Sequence, residues 1–259
     1  MYQEFGAESL IEIGPGKGSL TKLIKDVSSD FWLFEKDETL KEKLGEVLKD
    51  NQNYTIIWGD VLEADLAALS INPEQENFSS SEPPAFGSPL FRGVIPGKTL
   101  VVGNLPYYIT SPILRKFFCG EIATSQSSLQ GRFLSGLFMI QDEVGQKIRH
   151  DAQKKSYLYW LLNYGYEVSY LKTVPAKAFT PAPKVRSCMV GLYKKSELPQ
   201  IPFDTLVSFL DDFSPYSRKT LGKIMKMLEK RDIHYALPVD LLGKRLEELH
   251  WKDMEKILS

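Results

Sequence analysis

A short apolar run, Leu10-Ile11-Glu12-Ile13, passes without a break into Gly14-Pro15-Gly16-Lys17-Gly18. Few local patterns restrict a fold more. The run is short and apolar, which suits a buried strand. Glycine at every second position then lets the backbone turn sharply and leaves space for a ligand to approach. Ser19 is the expected N-cap of an amphipathic helix, with Leu20, Leu23 and Ile24 on one face. Strand, glycine turn and helix in that order open an α/β sheet whose ligands sit at its carboxyl edge.

Four more strands are expected: Phe31-Trp32-Leu33-Phe34, Tyr54-Thr55-Ile56-Ile57-Trp58, Thr99-Leu100-Val101-Val102 and Gly136-Leu137-Phe138-Met139-Ile140. A charged helix from Glu38 to Lys49 separates the second from the third. Strands alternating with helices predict a parallel, doubly wound sheet. The stretch from Asn72 to Gly97 is rich in Ser, Pro and Gly and reads as a surface loop. Thr124 to Arg132 is a second soft spot. From Glu197 to Ser259 the pattern is helical, broken at Pro199, Pro202, Pro215 and Pro238. The expected division is therefore 1–196 as the α/β domain and 197–259 as a small helical domain.

Composition excludes several classes. Apolar content of 43% and charged content of 25% suit a globular chain. There is no run of about 18 apolar residues to span a membrane and no signal-peptide pattern at Met1-Tyr2-Gln3-Glu4-Phe5, so a cytoplasmic location is expected. Cys119 and Cys188 read as reduced buried thiols, and the isolated His150, His234 and His250 give no metal-ligand spacing. A net charge of −1 argues mildly against nucleic acid as a partner. The distribution argues the other way. Lys172, Lys177, Lys184, Arg186, Lys194 and Lys195 flank a Pro-rich turn. Arg218, Lys219, Lys223, Lys226, Lys230 and Arg231 crowd one expected helix. A solvated helix face is the plainer alternative.

The spacing Gly14-x-Gly16-x-Gly18 is not the dinucleotide pattern, and with Glu12 just upstream it suits an adenosine-type ligand without a pyrophosphate. Glu35 ends the second strand, where a carboxylate can accept from both ribose hydroxyls. Asp60 ends the third, where it can accept from an adenine amine. Taken singly, the glycines are a turn and Asp60 is a helix cap; their order along one sheet edge favours a site. A nicotinamide or flavin cofactor is the alternative.

Asn104-Leu105-Pro106-Tyr107 follows the fourth strand. An exocyclic adenine amine is a poor nucleophile because its lone pair is delocalised into the ring. Acceptors on its N–H groups draw the nitrogen toward tetrahedral geometry, and the Asn104 side-chain oxygen and the Leu105 carbonyl are of the right kind. Pro106 holds Leu105 extended, and Tyr107 offers a stacking face. Phe179, in Ala178-Phe179-Thr180-Pro181-Ala182-Pro183-Lys184-Val185 between the sixth and seventh strands, is a candidate for the other side of a flipped-out base. The plainer alternatives are a turn with a core tyrosine, and a packing phenylalanine.

Together these residues resemble the small-subunit ribosomal RNA adenine N6,N6-dimethyltransferases, the KsgA type. The matching pieces run from Glu12 to Gly18, then Glu35, Gly59-Asp60, Asn104 to Pro112, Phe138 to Val144 and Phe179 to Ser187, with Ser217-Arg218-Lys219-Thr220-Leu221 further on. The resemblance implies a class I methyltransferase fold (Rossmann-like, seven mostly parallel strands) with a small C-terminal helical domain, and S-adenosylmethionine as methyl donor. It implies dimethylation of two adjacent adenines in the 3′-terminal hairpin of small-subunit ribosomal RNA, within a late assembly particle, by a monomer. It places Glu12, Gly14, Gly16, Gly18, Glu35, Lys36, Asp60, Val61 and Asn104 at the donor, and Asn104, Leu105, Pro106, Tyr107 and Phe179 at the target base. This sequence starts about where the family's opening segment with its G-Q-x-F-L pattern ends, the 72–97 stretch is longer than the family norm, and Leu158 stands where glycine is usual. The alternatives are a large-subunit RNA adenine methyltransferase of the antibiotic-resistance type, a non-catalytic RNA-binding assembly factor and, more weakly, a DNA adenine methyltransferase. The leucine of N-L-P-Y and the F-T-P-x-P-K-V run favour the small-subunit target.

Overall fold

The strands found in a computed structural model are β1 Ser9–Ile13, β2 Phe31–Glu35, β3 Tyr54–Trp58, β4 Thr99–Asn104, β5 Phe133–Gln141, β6 Tyr166–Val174 and β7 Ser187–Lys194. The structure describes residues 7–64, 66, 99–119, 133–179 and 183–258. The predicted loop at 72–97 and the soft spot at 124–132 lie outside them. The strands form one seven-stranded sheet in the order β3-β2-β1-β4-β5-β7-β6. β1 to β5 pair in parallel, whereas β7 runs antiparallel to both β5 and β6.

Both β1 and β2 are buried along their whole length, which is why they read as continuous apolar runs. Alternation sorts their side chains. Ile11, Ile13, Trp32 and Phe34 join one core cluster. Leu10, Phe31 and Leu33 join another with Leu44 and Leu48 of α2, Lys41–Leu48. Glu12 and Glu35 share the second parity, and meet at the carboxyl edge.

The first helix differs from expectation. α1 spans only Thr21–Ile24 and its N-cap is Leu20, not Ser19. Of the predicted apolar face, Leu20 and Ile24 pack against the second core cluster, whereas Leu23 is 73% exposed. The glycine turn uses up the residues that would have made the first helical turn.

α3 Thr110–Phe118, α4 Asp142–Ile148 and α5 Tyr157–Gly165 pack beside β5, β6 and β7. Beyond β7 the described chain is helical, with α6 Phe203–Phe213, α7 Leu221–Glu229 and α8 Trp251–Leu258. Their apolar faces belong to the same cluster as one sheet face. Trp160 of α5 meets Trp251 of α8 edge-on at 5.1 Å, and Tyr164 meets Phe203 of α6 at 5.0 Å. Leu158, 7% exposed, is part of this core. No helix among the described residues is long and apolar enough to cross a membrane.

Candidate functional site

Gly14, Gly16 and Gly18 all take positive φ, 68°, 57° and 77°, which L side chains adopt only with strain. Their surroundings differ. A Cβ on Gly14 or Gly16 would meet open space, whereas one on Gly18 would press on Val47 at 3.0 Å. The first two glycines thus line an open cradle, and the third lets the turn pack on α2. The Gly14 N–H donates to the Phe34 carbonyl at 2.9 Å, tying the turn to β2.

Glu35 is the hub of this cradle. Its Oε2 accepts from the Gly16 N–H at 2.9 Å and its Oε1 from the Asp37 N–H at 2.8 Å. Each oxygen keeps a lone pair for a further donor. Glu12 lies behind the turn, 1% exposed. Burial pushes its carboxyl up to about 7, against a smaller downward pull from the Thr21 hydroxyl, and the charge of Glu35 adds to the rise. That hydroxyl lies near, yet outside hydrogen-bond geometry: among the described residues Glu12 Oε2 and Thr21 Oγ1 have no partner. A buried acceptor left unpaired beside an open glycine cradle is a place for a donor-bearing ligand. The residues present therefore fit an adenosyl amino-acid cofactor.

Asp60 is placed at the end of β3 but is already engaged. Its Oδ1 accepts from the Leu62 N–H and its Oδ2 from Lys36 Nζ, both at 2.9 Å. These contacts hold its carboxyl below the usual range. It caps a turn rather than the helix of the plainer alternative, and each oxygen retains acceptor capacity. Lys36 is exposed, and the Val61 side chain is buried in the core.

β4 delivers the second half of the site. Gly103 pairs with Ile13, so the next residues on the two strands, Asn104 and Gly14, are neighbours across the sheet edge. A Cβ on Gly103 would stand 2.7 Å from the Ile13 carbonyl, so only glycine allows this approach. Asn104 is exposed at the edge. Leu105 is buried at 1%, and its N–H donates to the Met139 carbonyl at 3.0 Å. The Pro106 carbonyl accepts from the Ile109 N–H and the Thr110 hydroxyl, at 3.1 and 3.0 Å. The tetrapeptide is thereby fixed on both sides. Tyr107 is half-buried, with its hydroxyl 2.7 Å from Ser187 Oγ, while Tyr108 is 85% exposed.

Ser187 pairs with Gln141 of β5 and with Val174 of β6. The two ends of the 175–186 connection, at Val174 and Ser187, therefore lie level with the carboxyl end of β5. Phe179, half-buried, lies on its first, described part, five residues beyond Val174. Thr180, Pro181 and Ala182 lie outside the described residues.

Sequence reasoning assigned no role to Ser187, Asp142 or Tyr170. Their links cross between strands and helix ends, and no periodicity marks them. The basic set also needs correction. Lys195 turns inward, donating to the Asn163 carbonyl at 2.6 Å beneath the Trp251 ring. Arg186 is paired with Asp142 at 3.1 Å. The later basic residues do not share one helix: Arg218 and Lys219 precede α7, and Lys230 and Arg231 follow it. All of these later ones are exposed. Cys119 and Cys188 are free and buried, and burial pushes both thiols up to about 12. The described residues hold no cluster of metal-ligating side chains.

A seven-stranded sheet in this order, with its glycine cradle at the carboxyl edge beside β4, is the class I methyltransferase fold. The family model for ribosomal RNA adenine dimethylase matches residues 7–256, and the chain belongs to that family. It is 33% identical over 226 residues to a Ribosomal RNA small subunit methyltransferase A from Deinococcus radiodurans, covering 85% of this chain and 63% of that one. A protein of the same name from Lactiplantibacillus plantarum is 31% identical, over 78% of this chain and 60% of the relative. The chain thus spans 63% and 60% of the length of these two curated relatives. One from Hydrogenobaculum sp. is 28% identical over 97% of this chain and 81% of its own. Among solved structures, a dimethyladenosine transferase from Plasmodium falciparum superposes with a TM-score of 0.65 at 21% identity, covering 97% of this chain and 88% of that one. The 23S rRNA methyltransferase ErmE superposes at 0.61 and 19% identity, covering 97% and 91%. Both agree with the fold.

Proposed function

We propose that this protein transfers methyl groups from S-adenosylmethionine to N6 of two adjacent adenines in the 3′-terminal hairpin of small-subunit ribosomal RNA, late in subunit assembly. The observation that carries this is the Ile13–Gly103 pair of β1 and β4, which sets Asn104 level with the start of the glycine turn, with Tyr107 three residues on and tied to Ser187. Donor and target sites would share one sheet edge, as direct transfer demands.

Gly14, Gly16 and Gly18 leave room for the donor, Glu35 takes the ribose hydroxyls, and Asp60 with Lys36 and Val61 borders the adenine. Glu12 faces the amino-acid end. When bound, the donor supplies an electrophilic methyl on a sulfonium. The side-chain oxygen of Asn104 and the carbonyl of Leu105 accept from the target N6–H groups and localise its lone pair. Pro106 keeps that carbonyl aimed. Tyr107 and Phe179 hold the base by stacking and exclude water. These groups act by orientation and electrostatics, with no covalent intermediate on the protein.

Residues 1–196 carry the transfer. Residues 197–259, with exposed Arg218, Lys219, Lys223, Lys226, Lys230 and Arg231, grip the RNA, and the protein acts as a cytoplasmic monomer. The test is incubation with labelled donor and small-subunit particles from cells lacking their own enzyme, followed by nucleoside analysis. Dimethyladenosine in the 3′ hairpin is expected. Label only in large-subunit RNA, or tight particle binding without label, would overturn this function.

A further inference from the structure

One carboxylate ties β6, the strand leading into the 175–186 connection, to the connection's last residue. Asp142, the first residue of α4, is a half-buried side chain at the end of β5. Its Oδ1 accepts from the Tyr170 hydroxyl at 2.6 Å, on the strand that leads into the connection. Its Oδ2 faces the guanidinium of Arg186, the last residue of the connection, at 3.1 Å. The Asp142 N–H also donates to the Arg186 carbonyl at 3.0 Å. The one proton of Tyr170 is committed to Asp142, so the Thr173 hydroxyl, 2.8 Å away, donates to Tyr170. One residue after Arg186, the Ser187 hydroxyl holds Tyr107.

Resting on the adenine-transfer function proposed above, we infer that Asp142 is a positioning residue: it clamps both feet of the connection that carries Phe179 and so sets the width of the slot between Phe179 and Tyr107. Asp142 touches neither donor nor target base. Tyr170 carries the ascending foot, with its ring under Arg149 at 5.6 Å. Arg186 carries the descending foot, through main chain and side chain alike. Without the carboxylate, the Val174–Ser187 and Gln141–Ser187 ladder pairs still hold the root of the connection, but Arg186 loses its side-chain anchor, and the target base loses support for a wall rather than a reactive group. The clamp therefore acts on target affinity and leaves donor affinity alone.

The test uses Asp142→Ala and Tyr170→Phe in the full chain. Tyr170→Phe removes one hydroxyl and keeps the ring, so folding is preserved. Trypsin cleavage after exposed Lys177 and Lys184, mapped by mass spectrometry, reads the connection directly. Cleavage after Lys226 and Lys230 in the helical region is the control. Losing charge-assisted contacts at a foot should speed cleavage at Lys177 and Lys184 about fivefold or more, leaving the control sites unchanged. The KM for RNA particles should rise by a similar factor while donor Kd stays within about twofold. Unchanged cleavage in both variants overturns the clamp, even where the wild type transfers methyl. Faster cleavage in a protein whose wild type transfers none supports the clamp and counts against the function alone. A fall in kcat with KM for RNA unchanged would also overturn it.

Discussion

The hydroxyl of Tyr107 meets the hydroxyl of Ser187 at 2.7 Å, across 80 residues of sequence. Through this contact the tetrapeptide after β4 is oriented by the first residue of β7. Ser187→Ala frees the ring of Tyr107 to rotate. The expected result is a rise of about three- to tenfold in KM for RNA, the weight of one hydrogen bond, with donor affinity unchanged. Steady-state kinetics against both substrates measures it. A fall in donor affinity instead would show that Tyr107 serves the donor side.

Asn104 is exposed, so Asn104→Ala costs little stability. On the function proposed above it removes an acceptor from the reacting amine, and methyl transfer should drop by about 10²–10³-fold, as for other preorganised hydrogen-bonding groups. Calorimetric donor binding should stay nearly intact. Loss of donor binding would make the residue structural.

Glu35 joins the Gly16 and Asp37 amides through its two oxygens. Glu35→Ala removes the side-chain partner of both N–H groups in a part-buried setting, at a cost of about 1–2 kcal/mol. Thermal melts should show that loss, and donor binding should vanish with it. Glu35→Gln keeps one acceptor and should fall between the two in both measurements.

Glu12 gives a pH signature. Its carboxyl is raised from 4.5 to about 7 in the folded protein. Below 4.5 it is protonated folded and unfolded, so it imposes no pH-dependent penalty. Between 4.5 and about 7 the unfolded chain releases the proton while the folded one holds it, so stability falls as pH rises. Above about 7 the full penalty stands, about 3 kcal/mol for such a shift. Glu12→Gln carries no titrating group there. Urea melts without donor should show the Gln variant gaining on the wild type from pH 5 to pH 7 and holding level above. A constant difference across that range would place the carboxyl at its ordinary value.

The sheet was legible because its signals are local. Leu10 to Ile13, Phe31 to Phe34 and Tyr54 to Trp58 are short apolar runs, and each was placed to within a residue. The glycine turn, Glu35, Asp60 and Asn104 fall at strand ends, and the sequence order of strand ends maps directly onto one sheet edge. The helix after Gly18 starts later than its spacing predicts: Leu20 and Ile24 pack, while the turn consumes the residues of the first helical turn and leaves Leu23 in solvent.

By itself the sequence determined which residues lie at strand ends, and so which polar groups can meet a ligand, because strand and turn preferences act over a few residues. It also carried the family resemblance. Only the tertiary structure decided what those groups touch. The antiparallel return of β7 between β5 and β6 brings Ser187 to Tyr107 and Arg186 to Asp142. The β1–β4 register sets Asn104 beside Gly14. Packing turned Lys195 inward and left Glu12 Oε2 without a partner among the described residues. Each depends on contacts between segments tens of residues apart, whose geometry is set by close-packing of the whole sheet rather than by any local preference.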